Sequence, residues 1–128
     1  MLFVVVLKME SNYEKLNIYK KADVLADEIW DIVMEWNNFA KNAFGLQLVH
    51  SVDSISANIA EGSGRGSYKD NSKFIRIARG SCLETKHWLK KAHKRKLLDE
   101  KSYNNLIAEI DNLIPQINSY HKYLQEKV

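Results

Sequence analysis

The stretch NIAEGSGRGS, at residues 58–67, decides between two classes of fold. Closely spaced glycines are typical of loops that cradle phosphate in α/β nucleotide-binding proteins. Such a loop follows a buried strand and ends in a lysine and a hydroxyl residue, whereas no such pair follows Arg65. A dinucleotide-binding loop also needs a strand before it, and here the preceding pattern is helical. We therefore interpret the stretch as a connection between two helices, with a phosphate cradle as the alternative.

Four runs of the sequence have the period of an amphipathic helix, at about residues 21–36, 46–62, 68–96 and 100–126. Apolar residues recur there every three or four positions, which places them on one helix face. Ser67 and Asp99 are the predicted N-caps of the last two helices. The predicted buried arc of the third helix is Phe74, Ile77, Ala78, Ser81, Cys82, Thr85, Trp88, Leu89 and Ala92. The pattern predicts an all-α protein, an antiparallel up-down four-helix bundle with long helices three and four.

Three glycines carry more specific predictions. Gly45 ends the segment NNFAKNAFG, where the helical pattern breaks and a connection between helices one and two is expected. Gly62 is predicted to close the second helix in the left-handed conformation. Gly80, followed by Ser81, falls in the middle of the third helix, where glycine costs about 1 kcal/mol relative to alanine. The predicted compensation is a close backbone approach at a helix crossing.

Length and composition place limits on the protein class. The 128 residues, 45% of them apolar, suffice for one domain with a core. A single cysteine cannot form an internal disulfide, which favours a cytoplasmic protein. The apolar start MLFVVVLK is too short to span a bilayer, so no membrane association is expected. We expect residues 1–15 to be a disordered or frayed extension, with Met9 as a natural start, and residues 16–126 to form the domain; a short strand or an oligomer contact is the alternative for residues 1–8.

Positive charge is concentrated in residues 65–96. This segment holds eleven Lys or Arg and two acids, a net charge of +9, so that the remainder carries −6. On a helical wheel many of these cations share the face opposite the apolar arc, which can follow a phosphate backbone. The predicted nucleic-acid contacts are Lys69, Lys73, Arg76, Lys90, Lys91, Lys94 and Arg95. The alternatives are a solvated face, or pairing with the acids of helix one in an oligomer.

Catalytic and metal-binding patterns are weak. Glu84 with His87 is the one Glu-x-x-His pair, and a di-iron bundle needs two. Cys82 lies on the apolar arc, which indicates a buried small residue rather than a nucleophile. We expect no enzyme activity, no metal and no cofactor.

Two segments, SISANIAEGSGR at residues 54–65 and FIRIARGSCLETKHWLKKA at residues 74–92, resemble the bacterial 23S ribosomal RNA intervening-sequence proteins. These are similar to the accessory protein of diversity-generating retroelements. The resemblance implies a four-helix bundle that can form homopentamers, and RNA or DNA and a reverse transcriptase as partners. The residues that match the family motif are Asn58, Glu61, Gly62, Gly64, Arg65, Gly80, Ser81 and Glu84.

The charged members of that motif have a structural interpretation of their own. Arg65, Glu61 and Glu84 are predicted to form a polar clamp at one end of the bundle, since arginine and carboxylate can pair through two parallel hydrogen bonds. Direct contact of these side chains with a ligand is the alternative.

Overall fold

The structure, a computed structural model, describes residues 12–128 and contains four long helices and no strand in that range. They are α1 (Asn17–Met34), α2 (Leu46–Ser63), α3 (Tyr68–Lys94) and α4 (Glu100–Lys127). The predicted all-α class with four helices is confirmed. A single 3₁₀ turn, Asn12–Lys15, precedes α1, and residues 1–11 of the expected extension lie outside the described residues.

Side-chain caps fix where α3 and α4 begin. The Ser67 hydroxyl accepts from the Asp70 amide at 3.1 Å, and the Asp99 carboxylate accepts from the Ser102 amide at 2.7 Å. This backbone hydrogen bond lowers the pKa of Asp99. Each cap satisfies one of the amides that the first helical turn leaves without a partner. Both predicted N-caps are confirmed.

The segment between α1 and α2 is helical rather than a broken loop. Asn37 accepts from the Ala40 amide at 2.9 Å and caps a short α-turn, Asn38–Ala40. A π-helical turn, Lys41–Gly45, then leads directly into α2. Gly45 is buried, and a Cβ atom there would lie 2.7 Å from Cγ1 of Val33. The apolar pattern breaks because the winding changes to a wider turn. The connection is helical, and it ends at Gly45 as predicted.

The core lies between α1, α2, α3 and α4, with the most extensive packing between α2 and α3, and with less packing between α1 and α4 than between helices that follow each other in the chain. Each fully buried leucine or isoleucine stabilises the fold by about 1.5–3 kcal/mol. The largest fully buried side chains are Leu25, Ile29, Leu48, Val52, Ile55, Ile59, Ile75, Leu89, Ile110, Leu113, Ile117 and Leu124. One prediction for α3 is wrong, since Ile77 is 51% exposed and Ile75 is buried in the arc.

Polar contacts fix how α3 faces its neighbours. Toward α2, the Thr85 hydroxyl donates to the Ser81 carbonyl at 2.7 Å and lies 3.1 Å from the Ser51 hydroxyl. Toward α4, Arg79 donates to Asn118 at 3.3 Å, and Lys86 contacts Asp111 at 2.6 Å. These contacts leave the remaining side of α3 facing solvent. Between residues 12 and 128, no helix is long and apolar enough to cross a bilayer.

Candidate nucleic-acid interface

The solvent-facing side of α3 carries the cations that the sequence singled out, and we call these seven residues the basic stripe. Six are exposed and Lys91 is half-buried. In the described chain, the one ion pair within the stripe joins Lys73 to Asp70, at 3.8 Å on the surface. The members of the basic stripe are Lys69, Lys73, Arg76, Lys90, Lys91, Lys94 and Arg95. The structure therefore places this charge on the surface, opposite the buried arc.

The basic stripe is interrupted in its middle. Fourteen residues separate Arg76 from Lys90, which corresponds to about 21 Å along a helix. Within this interval Ile77, Gly80 and Leu83 are exposed. The sequence prediction treated the stripe as continuous, although Gly80 falls in the same sector of the wheel. The interface thus consists of two basic clusters, one at each end of α3, and the segment between them exposes the acid Glu84 beside these uncharged residues.

Two further cations of α3 turn away from the stripe. Lys86 forms the 2.6 Å ion pair with Asp111, and Arg79 hydrogen-bonds to Asn118, both on α4. Their positions follow from α4 packing beside this edge of α3, which residue spacing does not reveal.

At the α2–α3 junction, the predicted clamp forms only in part. Arg65 pairs with Glu61 at 2.9 Å on the protein surface, and its guanidinium lies 4.8 Å from the centre of the Phe74 ring. Glu84 takes no part, because it accepts from the Trp88 indole at 3.3 Å. Glu84 lies ten residues beyond Phe74, about 15 Å along the helix, so it cannot reach the Arg65 guanidinium, which lies over the Phe74 ring.

Gly62 provides the close helix approach that was predicted for Gly80. A Cβ atom at Gly62 would lie 2.5 Å from Oδ1 of Asn71 and 3.0 Å from Cβ of Phe74. Gly62 is buried within α2, so its predicted left-handed closing role is wrong; the glycine with positive φ is Gly66, at 84°. Gly64 follows α2 in a right-handed conformation.

Gly80 has no such neighbour. A Cβ atom there would meet nothing within 4 Å, so the predicted crossing at Gly80 is wrong. Ser81 donates to the Ile77 carbonyl at 3.1 Å within its own helix, and Asn58 does the same to the Ser54 carbonyl at 2.7 Å. The motif residues thus divide into a packed junction around Gly62 and an open surface around Gly80.

The groove between α3 and α4 was missed by the sequence prediction. Burial lowers the pKa of His121, and the charges of Arg79 and Arg76 lower it further. His121 Nε2 is buried and has no hydrogen-bond partner. Forty-two residues separate His121 from Arg79, so only the packing of the two helices brings them together.

The residues considered for catalysis and metal binding do not form a site in the described chain. Cys82 is fully buried, and burial raises the pKa of its thiol to about 12. A thiol that is buried and protonated is a poor nucleophile. Across residues 12–128, no group of three His, Cys, Asp or Glu side chains is placed to hold a metal ion.

Comparison with known proteins identifies relatives in sequence and in fold. A family described as 23S rRNA-intervening sequence protein matches residues 14–119. The chain is similar to the crystal structure of a protein of unknown function from the S23 ribosomal protein family of Bacteroides thetaiotaomicron, with a TM-score of 0.73 and 22% identity. That alignment covers 82% of this chain and 98% of the other. No curated protein matches the chain.

Proposed function

The chain belongs to the family of 23S rRNA-intervening sequence proteins, and from this premise we propose that it binds nucleic acid through the basic stripe of α3 without catalysing a reaction. The observation that carries the proposal is the exposure of these cations on one side of one helix. Within residues 12–128 one of the seven is ion-paired, and Arg95 lies over the Phe44 ring at 5.3 Å, so the other five are available to phosphates. Release of counterions from the nucleic acid drives such binding.

The chemistry of the stripe favours contacts with phosphate over contacts with bases. Between the two basic clusters, Ile77, Gly80 and Leu83 are exposed, and the one exposed ring is the imidazole of His87, which packs edge-on against Trp88 with 4.8 Å between the ring centres. This interval therefore offers no row of aromatic rings for base stacking. Lysine and arginine contacts to phosphate position a protein on nucleic acid but carry no sequence information. Binding is therefore weakly sequence-specific and strongly dependent on salt.

Fluorescence anisotropy with labelled RNA and DNA of one sequence tests the proposal. We expect affinity to fall by at least tenfold between about 50 and 200 mM salt. The double variant Lys73→Ala/Lys94→Ala removes one cation from each cluster, and the slope of log affinity against log salt becomes shallower by about 2. Lys20→Ala/Lys101→Ala is the matched control, with the same loss of charge at exposed positions on α1 and α4. No binding at low salt, or equal effects of both pairs, overturns the proposal.

The proposed assembly is an antiparallel up-down bundle that forms a homo-oligomer, a pentamer by the family resemblance, in the cytoplasm. The pairs Arg79–Asn118 and Lys86–Asp111 support an antiparallel arrangement of α3 and α4. From the first pair to the second, the residue number rises along α3 and falls along α4. Supporting self-association, α1 exposes Trp30 and Met34, each by about half. Native mass spectrometry measures the subunit number, and a strictly monomeric particle contradicts this proposal.

The second candidate is a protein-binding scaffold, and Gly80 favours it. An exposed glycine inside a helix lowers stability by about 1 kcal/mol relative to alanine and has no compensating contact here. A partner helix could approach closely at Gly80, between the exposed Ile77 and Leu83. The acids Asp23, Asp27 and Asp31 of α1 in a second copy complement the charge of the stripe.

Gly80→Gln separates the two candidates. The substitution suits an exposed helix position, so the fold remains intact. If the outer face of α3 is a protein contact, Gly80→Gln dissociates the oligomer in size-exclusion chromatography while Ala108→Gln on the exposed part of α4 does not. If the face binds nucleic acid alone, the oligomer is unchanged and RNA affinity varies by less than about twofold.

A further inference from the structure

The groove between α3 and α4 contains a concave basic site that is distinct from the open part of the stripe. A cavity of about 280 Å³ lies beside the N-terminal half of α3 and the end of α4. This is several times the volume that one water molecule occupies in the liquid, about 30 Å³. Its lining consists of Lys69, Ser72, Lys73, Arg76, Gln125 and Val128. Four of these residues come from α3, and three of the four are cations.

The half-buried imidazole of His121, with its Nε2 atom buried, lies one helical turn from this cavity. His121 precedes Gln125 by four residues, so both lie on the side of α4 that faces α3. His121 Nε2 has no hydrogen-bond partner within the described chain. A buried polar atom without a partner destabilises the fold and requires an explanation.

The arginines link the imidazole to the cavity. Arg76 lines the cavity, and its charge, with that of Arg79, lowers the pKa of His121. Arg79 is held by Asn118 at 3.3 Å. Asp70 lies 3.8 Å from Lys73 and pairs with it on the surface. The positive charge in the groove is thus only partly compensated by the protein.

We propose that this groove binds one phosphate group, with Arg76 as the central ligand and Lys69 and Lys73 beside it. Guanidinium matches the geometry of phosphate oxygens through paired hydrogen bonds. A bound phosphate also compensates the repulsion between the arginines and a protonated His121, which lies one helical turn from Gln125 of the cavity. The proposal rests on the proposed function, for which it identifies the place where one phosphate of the nucleic acid, internal or terminal, is held in a fixed position.

Titration of the full chain with inorganic phosphate, followed by NMR at constant ionic strength, tests the site. We expect saturable shifts at Arg76 and His121, and a rise in the pKa of His121, while exposed His50 on α2 stays unchanged. Arg76→Gln weakens phosphate binding at least tenfold. Arg95→Gln, which removes the same charge at the other end of α3, changes it less than twofold. Shifts spread evenly along the stripe, or equal effects of the two variants, overturn the assignment.

Oligonucleotides with and without a 5′-phosphate distinguish the source of the phosphate. A preference of at least fivefold for the phosphorylated end that Arg76→Gln abolishes assigns the groove to a terminal phosphate. Equal affinities, both lowered by Arg76→Gln more than by Arg95→Gln, assign it to an internal one. If RNA still binds but inorganic phosphate causes no specific shift, the groove site is contradicted and the proposed function is not. Phosphate binding without RNA binding sinks the proposed function and leaves the groove site intact.

Discussion

The junction around Gly62 and the outer face around Gly80 place the same amino acid in opposite surroundings. At Gly62 the chain of α3 comes so close that a Cβ atom would lie 2.5 Å from an Asn71 oxygen, whereas at Gly80 it would meet nothing within 4 Å. The first glycine is required by packing inside the bundle. The second makes no close contact within the described chain, and packing inside the bundle does not require a glycine there. Glycine in a helix is therefore informative only when its neighbours are known.

The largest effect is expected for the reactivity of Cys82, on the buried side of α3. This thiol is fully buried, with its pKa raised to about 12, although it is only two residues from exposed Gly80. At pH 8 we expect alkylation to be on the order of a thousandfold slower than in the unfolded chain, because it requires opening of the core. Mass spectrometry after iodoacetamide treatment measures the rate. Rapid labelling of the native protein contradicts the buried position.

Substitution of Gly62 tests the packed side directly. We expect Gly62→Ala to destabilise the fold by about 2–3 kcal/mol, because the added methyl group overlaps Asn71 and Phe74. Gly64→Ala is the control, since a Cβ atom there lies 3.7 Å or more from its neighbours. Urea denaturation gives both values. Equal stabilities of the two variants would remove the distinction between the junction and the outer face.

Removal of the N-cap of α3, at Ser67, should have an intermediate effect on stability. Ser67→Ala removes the acceptor of the Asp70 amide and should cost about 1 kcal/mol. The control is Ser119→Ala at an exposed position of α4, which should change stability by less than about 0.5 kcal/mol. The same urea titration compares them, and a cap variant as stable as its control would be inconsistent with the observed hydrogen bond.

Alanine at Gly80 should have the opposite sign from alanine at Gly62. We expect Gly80→Ala to stabilise the isolated chain by about 0.5–1 kcal/mol, because the backbone is helical and the space is open. Gly66→Ala serves as the contrast, since its positive φ of 84° is strained for alanine even though the space is open. Thermal unfolding at low concentration measures both. Destabilisation by Gly80→Ala would indicate an intrachain contact at this position.

The smallest effect is expected at Arg65. Its pair with Glu61 is about half exposed, so Arg65→Ala should lower stability by less than about 1 kcal/mol, including the loss of the contact with Phe74. Arg65→Lys keeps the charge and should recover part of the loss. A melting temperature identical to that of the unchanged protein would refute even this partial clamp.

Prediction from the sequence succeeded where the exposure or capping role of a residue depends on its own helix alone. The exposure of Lys73, Arg76 and Lys94 follows from a period of 3.6 residues, and the caps at Ser67 and Asp99 depend on amides three residues away. It failed for Ile77, which lies near the edge of the apolar arc, where exposure depends on the neighbouring helix. It also failed for Glu84, which bonds within its own helix to Trp88.

Periodicity and capping residues therefore determined the four helices and the cationic side of α3, because both depend on interactions within a few residues. Tertiary structure alone decided which glycine allows close packing, which cations turn toward α4, and that His121 meets Arg76 and Arg79. Those features depend on the rotation and spacing of packed helices. Residues far apart in the sequence share a groove only after the apolar faces of α3 and α4 have been buried together.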